Sequence, residues 1–197
     1  MHYKFVDRIL EIDAHGSGTI TACKTFPRTE DYFDGTFRRQ GEVPASLVLE
    51  TIASASSFLL IVQSRYRTMG LLLKLARASF LRPVLAGDRL IIQSRIVAIQ
   101  GDWTDPTVAP QDLGMAEIHT RGTVDDVLVA EAEALYLCVP MVWVFGARKE
   151  EVVTGALELL GCADARPGGW GGPGDRAPSQ VFISRWTDGL RSQEVVS

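Results

Sequence analysis

Between Glu42 and Arg65 the chain carries one charged side chain, Glu50, in a stretch otherwise rich in Ala, Ser and Leu. Ser46, Glu50, Ser54 and Ser57 recur at three- and four-residue intervals, so on a helix they make one polar stripe. An unpaired buried carboxylate costs several kcal/mol unless it finds a partner or changes its protonation. Glu50 is therefore either a structural group, capping backbone amides or pairing with an arginine, or a general acid–base group. The three histidines add no obvious catalytic partner: His2 is terminal, His15 sits in a turn before Gly16, and His119 falls in mid-strand. The sequence has no G-x-S-x-G elbow, no H-E-x-x-H and no Walker motif. The glycines of 168–174 follow no strand and open no helix, so they do not form a phosphate-binding loop. No set of metal ligands stands out, and no metal or cofactor is expected.

The elements that must position Glu50 follow from periodicity. Residues 44 to about 65 read as a long helix opened by Pro44 and apolar on most faces, the pattern of a helix buried inside a domain. Short strands are expected at 9–12 and 18–26, then longer ones at 71–80, 89–100, 115–124 and 128–139. Asp125-Asp126 marks a hairpin turn between the last two. Residues 27–42 and 106–112 read as loops, and Trp103 with the second loop is a candidate cover for a site. One helix followed by an antiparallel meander suggests an α+β fold with a sheet curled around the helix. Beyond Pro140 the character changes. Residues 141–197 form a C-terminal extension, with an amphipathic helix at about 147–160, a Gly/Pro-rich linker at 163–179 and a short tail.

Composition narrows the setting. The chain has 197 residues, a net charge of −4 and 46% hydrophobic residues, enough for one domain with a sizeable core. The acid balance and scattered arginines argue against nucleic acid as a partner. Cys23, Cys138 and Cys162 are odd in number and widely spaced, so reduced thiols in a cytoplasmic protein are expected. The N-terminal residues carry charges where a signal peptide needs an apolar run, and no membrane span is expected.

Four blocks of sequence resemble the bacterial 3-hydroxyacyl-ACP dehydratases, a hotdog-fold family. The first is Phe5-Val6-Asp7-Arg8-Ile9-Leu10-Glu11. The second, running from Tyr32-Phe33-Asp34-Gly35-Thr36-Phe37-Arg38-Arg39 to Glu50, is similar to the family signature F-x-G-H-F-P-x-x-P-x-M-P-G-V-L. In that signature a helical Glu follows the histidine by fourteen residues, and Glu50 follows Thr36 by the same interval. The third and fourth are Phe80-Leu81-Arg82-Pro83-Val84-Leu85-Ala86-Gly87-Asp88-Arg89-Leu90 and Val129-Ala130-Glu131-Ala132-Glu133. They lie in family order over residues 1–140, which the resemblance implies is a hotdog domain, an antiparallel sheet wrapped around a long central helix.

The resemblance also implies a site shared between two subunits, each tunnel taking His from one and the helical carboxylate from the other. Glu50 matches that carboxylate, and Ala45 matches the glycine whose N–H polarises the thioester carbonyl. Thr36 stands in place of the histidine, and a threonine hydroxyl cannot take an α-proton near neutrality without another base. Phe33, Ser46 and Ser54 would line the substrate path. Arg38 and Arg39 are either loop arginines facing water or groups that meet a phosphopantetheine phosphate. Three readings remain open: one subunit of a composite dehydratase, homo- or heterodimeric, acting on acyl carrier protein or CoA thioesters; a hotdog thioesterase using Glu50; or a non-catalytic acyl-binding or scaffolding subunit.

Overall fold

The computed structural model describes residues 5–29, 41–101, 103, 105 and 107–146. Two short strands, β1 (Arg8–Asp13) and β2 (Thr19–Thr25), precede the helix α1 (Ala45–Gln63). Four longer strands follow: β3 (Thr68–Phe80), β4 (Arg89–Gln100), β5 (Met115–Val124) and β6 (Val127–Pro140). The short helix α2 (Met141–Phe145) comes last among the described elements. The six strands form one sheet in the order β1-β2-β4-β5-β6-β3, with every neighbouring pair antiparallel. The sheet wraps α1 as expected. The helix expected at 147–160, Cys162 and the linker lie outside the described residues.

Alternation explains the register. On β4 and β5, Leu90, Ile92, Ser94, Ile118 and Thr120 face α1 and are buried, while Gln93, Arg95, His119 and Arg121 take the other face. The main core combines Leu90 and Ile92 with Ile20, Ala22, Phe26, Val48, Ile52 and Leu59. A second cluster gathers Leu60, Trp103, Ile118, Tyr136 and Cys138. Each fully buried Leu or Ile contributes about 1.5–3 kcal/mol relative to exposure. Trp103 is 7% exposed in that cluster, which makes it a core residue. Cys23 and Cys138 are free, buried thiols.

Local chemistry sets the ends. Pro44 takes the N-cap position of α1 rather than the first turn, and its carbonyl accepts from Leu47 and Val48. At the other end Ser64 Oγ accepts the Thr68 amide at 3.1 Å, while Arg65 and Tyr66 adopt left-handed φ of 54° and 63° that turn the chain into β3. Asp125 and Asp126 have φ of 48° and 62°, the two positive values that a type I′ hairpin demands. α1 is long and apolar enough to cross a membrane, and in this fold it is the core helix, with most of its second half buried.

Candidate functional site

Helix α1 enters the fold through a short anchored segment. Val43 donates to the Val84 carbonyl at 2.7 Å, and Ala86 donates to Gly41 at 2.7 Å. These bonds clamp the start of the helix to the 84–86 turn, so the second and third sequence blocks meet in space. The first amides of α1, including those of Ala45 and Ser46, precede any intrahelical acceptor and lie at the exposed helix start.

The sequence places Glu50 in the middle of a helix expected to be buried. It is exposed instead, as are Ala45 and Ser46, while Ser54 is half-buried. The sheet covers the face of α1 that carries Val48, Ile52 and Leu59, and leaves the stripe of Ser46, Glu50 and Ser54 on the uncovered side. Farther along the stripe, Ser57 Oγ is buried with no hydrogen-bond partner among the described residues. Phe33, Thr36, Arg38 and Arg39 lie outside the described residues, so the structure brings together Ala45, Ser46, Glu50 and Ser54 and says nothing of the other four.

Sequence reading did not find the polar centre beneath this stripe. Ser56 Oγ donates to Ser94 at 3.1 Å and lies 3.2 Å from Thr120, whose hydroxyl donates to Ser94 at 2.9 Å. All three are fully buried, a ring of hydroxyls that satisfies itself. Tyr136 lies beside it. Burial pushes its phenol up to about 12, with the Ser56 hydroxyl acting the other way and the Glu50 charge adding to the rise. Burial likewise raises the Cys138 thiol to about 12. The signal available in the sequence was Ser94 and Thr120 at apolar-phase positions of otherwise aliphatic strands.

A second missed feature is the edge strand. β3 pairs only with β6 among the described strands, and residues 71–77 are all exposed. Leu71, Leu72, Leu73 and Leu75 are among them, with Leu73 53% exposed. Single-residue bulges between Leu72 and Lys74 and between Leu75 and Arg77 twist the strand locally. Among the described residues no strand pairs with the outer edge of β3, and the start of α1 that carries Glu50 is exposed.

The outer face of the sheet holds a groove of about 520 Å³ lined by Arg77, Arg95, His119, Arg121, Glu131 and Glu133, among others. It lies on the face away from α1 and Glu50. Arg121 pairs with Glu131 at 3.3 Å and His119 with Glu117 at 3.1 Å. His119 lies on the face of the sheet away from α1, and His15 in the turn between β1 and β2.

Comparison with known proteins agrees with this architecture. A family model described as a FabA-like domain matches residues 1–133. The 3-hydroxyacyl-(acyl-carrier-protein) dehydratase FabZ of Listeria welshimeri is 24% identical over 135 residues, covering 68% of this chain and 84% of the relative. Its counterpart in Anaeromyxobacter dehalogenans is 30% identical over 136 residues, covering 66% and 78%. That of Burkholderia lata is 33% identical over 112 residues, covering 54% and 71%. A phenylacetic acid degradation-related protein of Ralstonia eutropha JMP134 superposes with a TM-score of 0.50 at 20% identity, over 66% of this chain and 82% of that one. That likeness shows a shared hotdog fold.

Proposed function

The chain belongs to the FabA-like family, and from that premise we propose that it is one subunit of a composite 3-hydroxyacyl thioester dehydratase, supplying the carboxylate while another hotdog subunit supplies the base. The observation that carries this reading is the combination of an exposed Glu50 with a β3 edge left unpaired among the described strands, in a chain whose signature has Thr36 where the histidine belongs.

In such a site the partner's imidazole removes the α-proton of the 3-hydroxyacyl thioester. Glu50 in its acid form gives a proton to the β-hydroxyl, water leaves, and the electron pair from the broken C–H bond forms the α,β double bond. The Ala45 amide, at the positive end of α1, faces the thioester oxygen as negative charge builds on it. Ser54 and Ser57 continue along the path of the acyl chain. Arg38 and Arg39 would meet the phosphate of a carrier-bound or CoA-bound pantetheine.

The test measures dehydration of 3-hydroxyacyl thioesters, and hydrolysis of simple acyl thioesters, by three samples. These are the chain alone, the chain with a histidine-bearing FabA-like subunit from the same genome, and that pair carrying Glu50→Gln. A positioned base contributes ~10²–10⁴-fold, so the chain alone is expected near background and the pair active. Glu50→Gln is expected to remove the activity of the pair while the complex stays intact. Thr36→His in the chain alone is expected to restore part of the activity. Full dehydration by the unmodified chain, or hydrolysis that depends on Glu50, would refute the composite reading.

A further inference from the structure

The polar stripe of α1 has an end. Ala45, Ser46 and Glu50 are exposed and Leu47, Ser54, Ser57 and Phe58 half-buried, whereas every residue from 59 to 64 is buried. Ile61 follows Glu50 by eleven residues. That interval is about three turns, so Ile61 continues the Glu50 face of the helix. It is only 7% exposed. β3 changes character at the same level. Residues 71–77 are exposed, while Gly70 is buried and has no room for a Cβ beside Leu60 Cδ1. The exposed lengths of helix and strand therefore stop together, at Leu60 and Gly70.

Backbone bonds hold that end in place. The Ile61 carbonyl accepts the Tyr66 amide at 2.8 Å. Ser64 Oγ lies 3.0 Å from the carbonyls of Ile61 and Thr68 and accepts the Thr68 amide at 3.1 Å. Met141, at the start of α2, donates its amide to the Arg67 carbonyl at 2.8 Å. Ile61, Tyr66 and Met141 belong to one core cluster. The last turn of α1, the turn into β3 and the start of α2 are thus tied together behind Ile61.

In the reaction above the Ala45 amide meets the thioester oxygen and Glu50 the 3-hydroxyl, so the rest of the acyl chain runs along α1 toward Ile61. Glu50 and Ile61 are about 16 Å apart along the axis, at about 1.5 Å per residue. A terminal methyl in contact stays about 4 Å from the Ile61 side chain. The remaining ~12 Å holds about nine carbons of an extended chain, each C–C bond of ~1.5 Å advancing it by ~1.3 Å. We propose that Ile61 is the specificity-determining end wall of the acyl path, restricting it to 3-hydroxyacyl thioesters of up to about twelve carbons. This rests on the composite-site reading and names its substrate class.

The test assays the full chain, paired with the histidine-bearing subunit, on 3-hydroxyacyl thioesters of four to sixteen carbons. Wild-type kcat/KM is expected to fall at least about ten-fold between twelve and sixteen carbons. Ile61→Ala is expected to raise the fourteen-carbon rate relative to the eight-carbon rate by about three-fold or more. Lost stability alone lowers both rates and leaves their ratio unchanged. Should Ile61→Ala fail to fold, Ser54→Phe decides from the other direction. It fills the path about one turn beyond Glu50 and is expected to raise the preference for four carbons over eight about ten-fold. Sixteen carbons turned over as fast as ten, or a length profile unmoved by the variant that folds, would overturn the end wall while leaving the chemistry of the pair in place. No turnover at any length would overturn the composite-site reading and the end wall with it.

Discussion

Tyr136 and Cys138 keep their protons far into the alkaline range because the folded interior excludes the water that would solvate their anions. In the unfolded chain they ionise near their ordinary values of 10.0 and 9.0. Folded values raised above unfolded ones mean that the unfolded chain releases protons first as pH rises. Their contribution to stability is complete below about pH 9 and is lost progressively toward about 12. Thermal melts from pH 8 upward are expected to show a falling midpoint, and Tyr136→Phe should flatten the fall above pH 10. A slope unchanged by that substitution would mean that the phenol is not the group released. The same burial makes Cys138 a poor nucleophile, whereas a catalytic thiol needs a lowered pKa.

At the scale of elements, two positions show how closely α1 and the strands are fitted. A Cβ on Gly70 would collide with Leu60 Cδ1 of α1 and come within 3.2 Å of the Tyr136 ring. Gly70→Ala is therefore expected to destabilise the domain by about 1–3 kcal/mol, read as a lowered midpoint in denaturant with an unchanged slope. The β5–β6 hairpin points the other way. Asp125 and Asp126 hold positive φ with side chains that only tolerate it, so Asp126→Gly should gain about 0.5–1 kcal/mol and raise Tm by a few degrees. A loss of stability there would mean that the Asp126 side chain makes a bond worth more than its backbone strain.

At the scale of the molecule, the exposed leucines of β3 form a run of apolar surface among the described residues. A strand with both faces open and one edge unpaired is a pairing surface, and in the proposed dimer it joins two sheets. Leu73→Asp, at the most exposed of the β3 leucines, is expected to shift the native mass to monomer while leaving far-UV circular dichroism unchanged. An unchanged mass would move the interface elsewhere. In the proposed dimer, the exposed Glu50 stripe of α1 would be turned toward the second subunit.

The sequence by itself determined the elements and their order. The strands expected at 89–100 and 115–124 appear as Arg89–Gln100 and Met115–Val124, because period-two burial leaves an unambiguous trace in aliphatic and polar residues. The hairpin at Asp125-Asp126 was legible for the same local reason, and the fourteen-residue interval from Thr36 to Glu50 carried the family resemblance and its defect together. Only the tertiary structure decided that Glu50 is exposed, that β3 is an edge among the described strands, and that Ser56, Ser94 and Thr120 close a ring. A run of apolar neighbours says that a helix is buried somewhere, but not which face the sheet covers. A run of leucines reads the same whether its own chain covers it or a second chain must. Ser56 and Thr120 stand 64 residues apart in the chain, and no local pattern encodes a contact that the curl of the sheet creates.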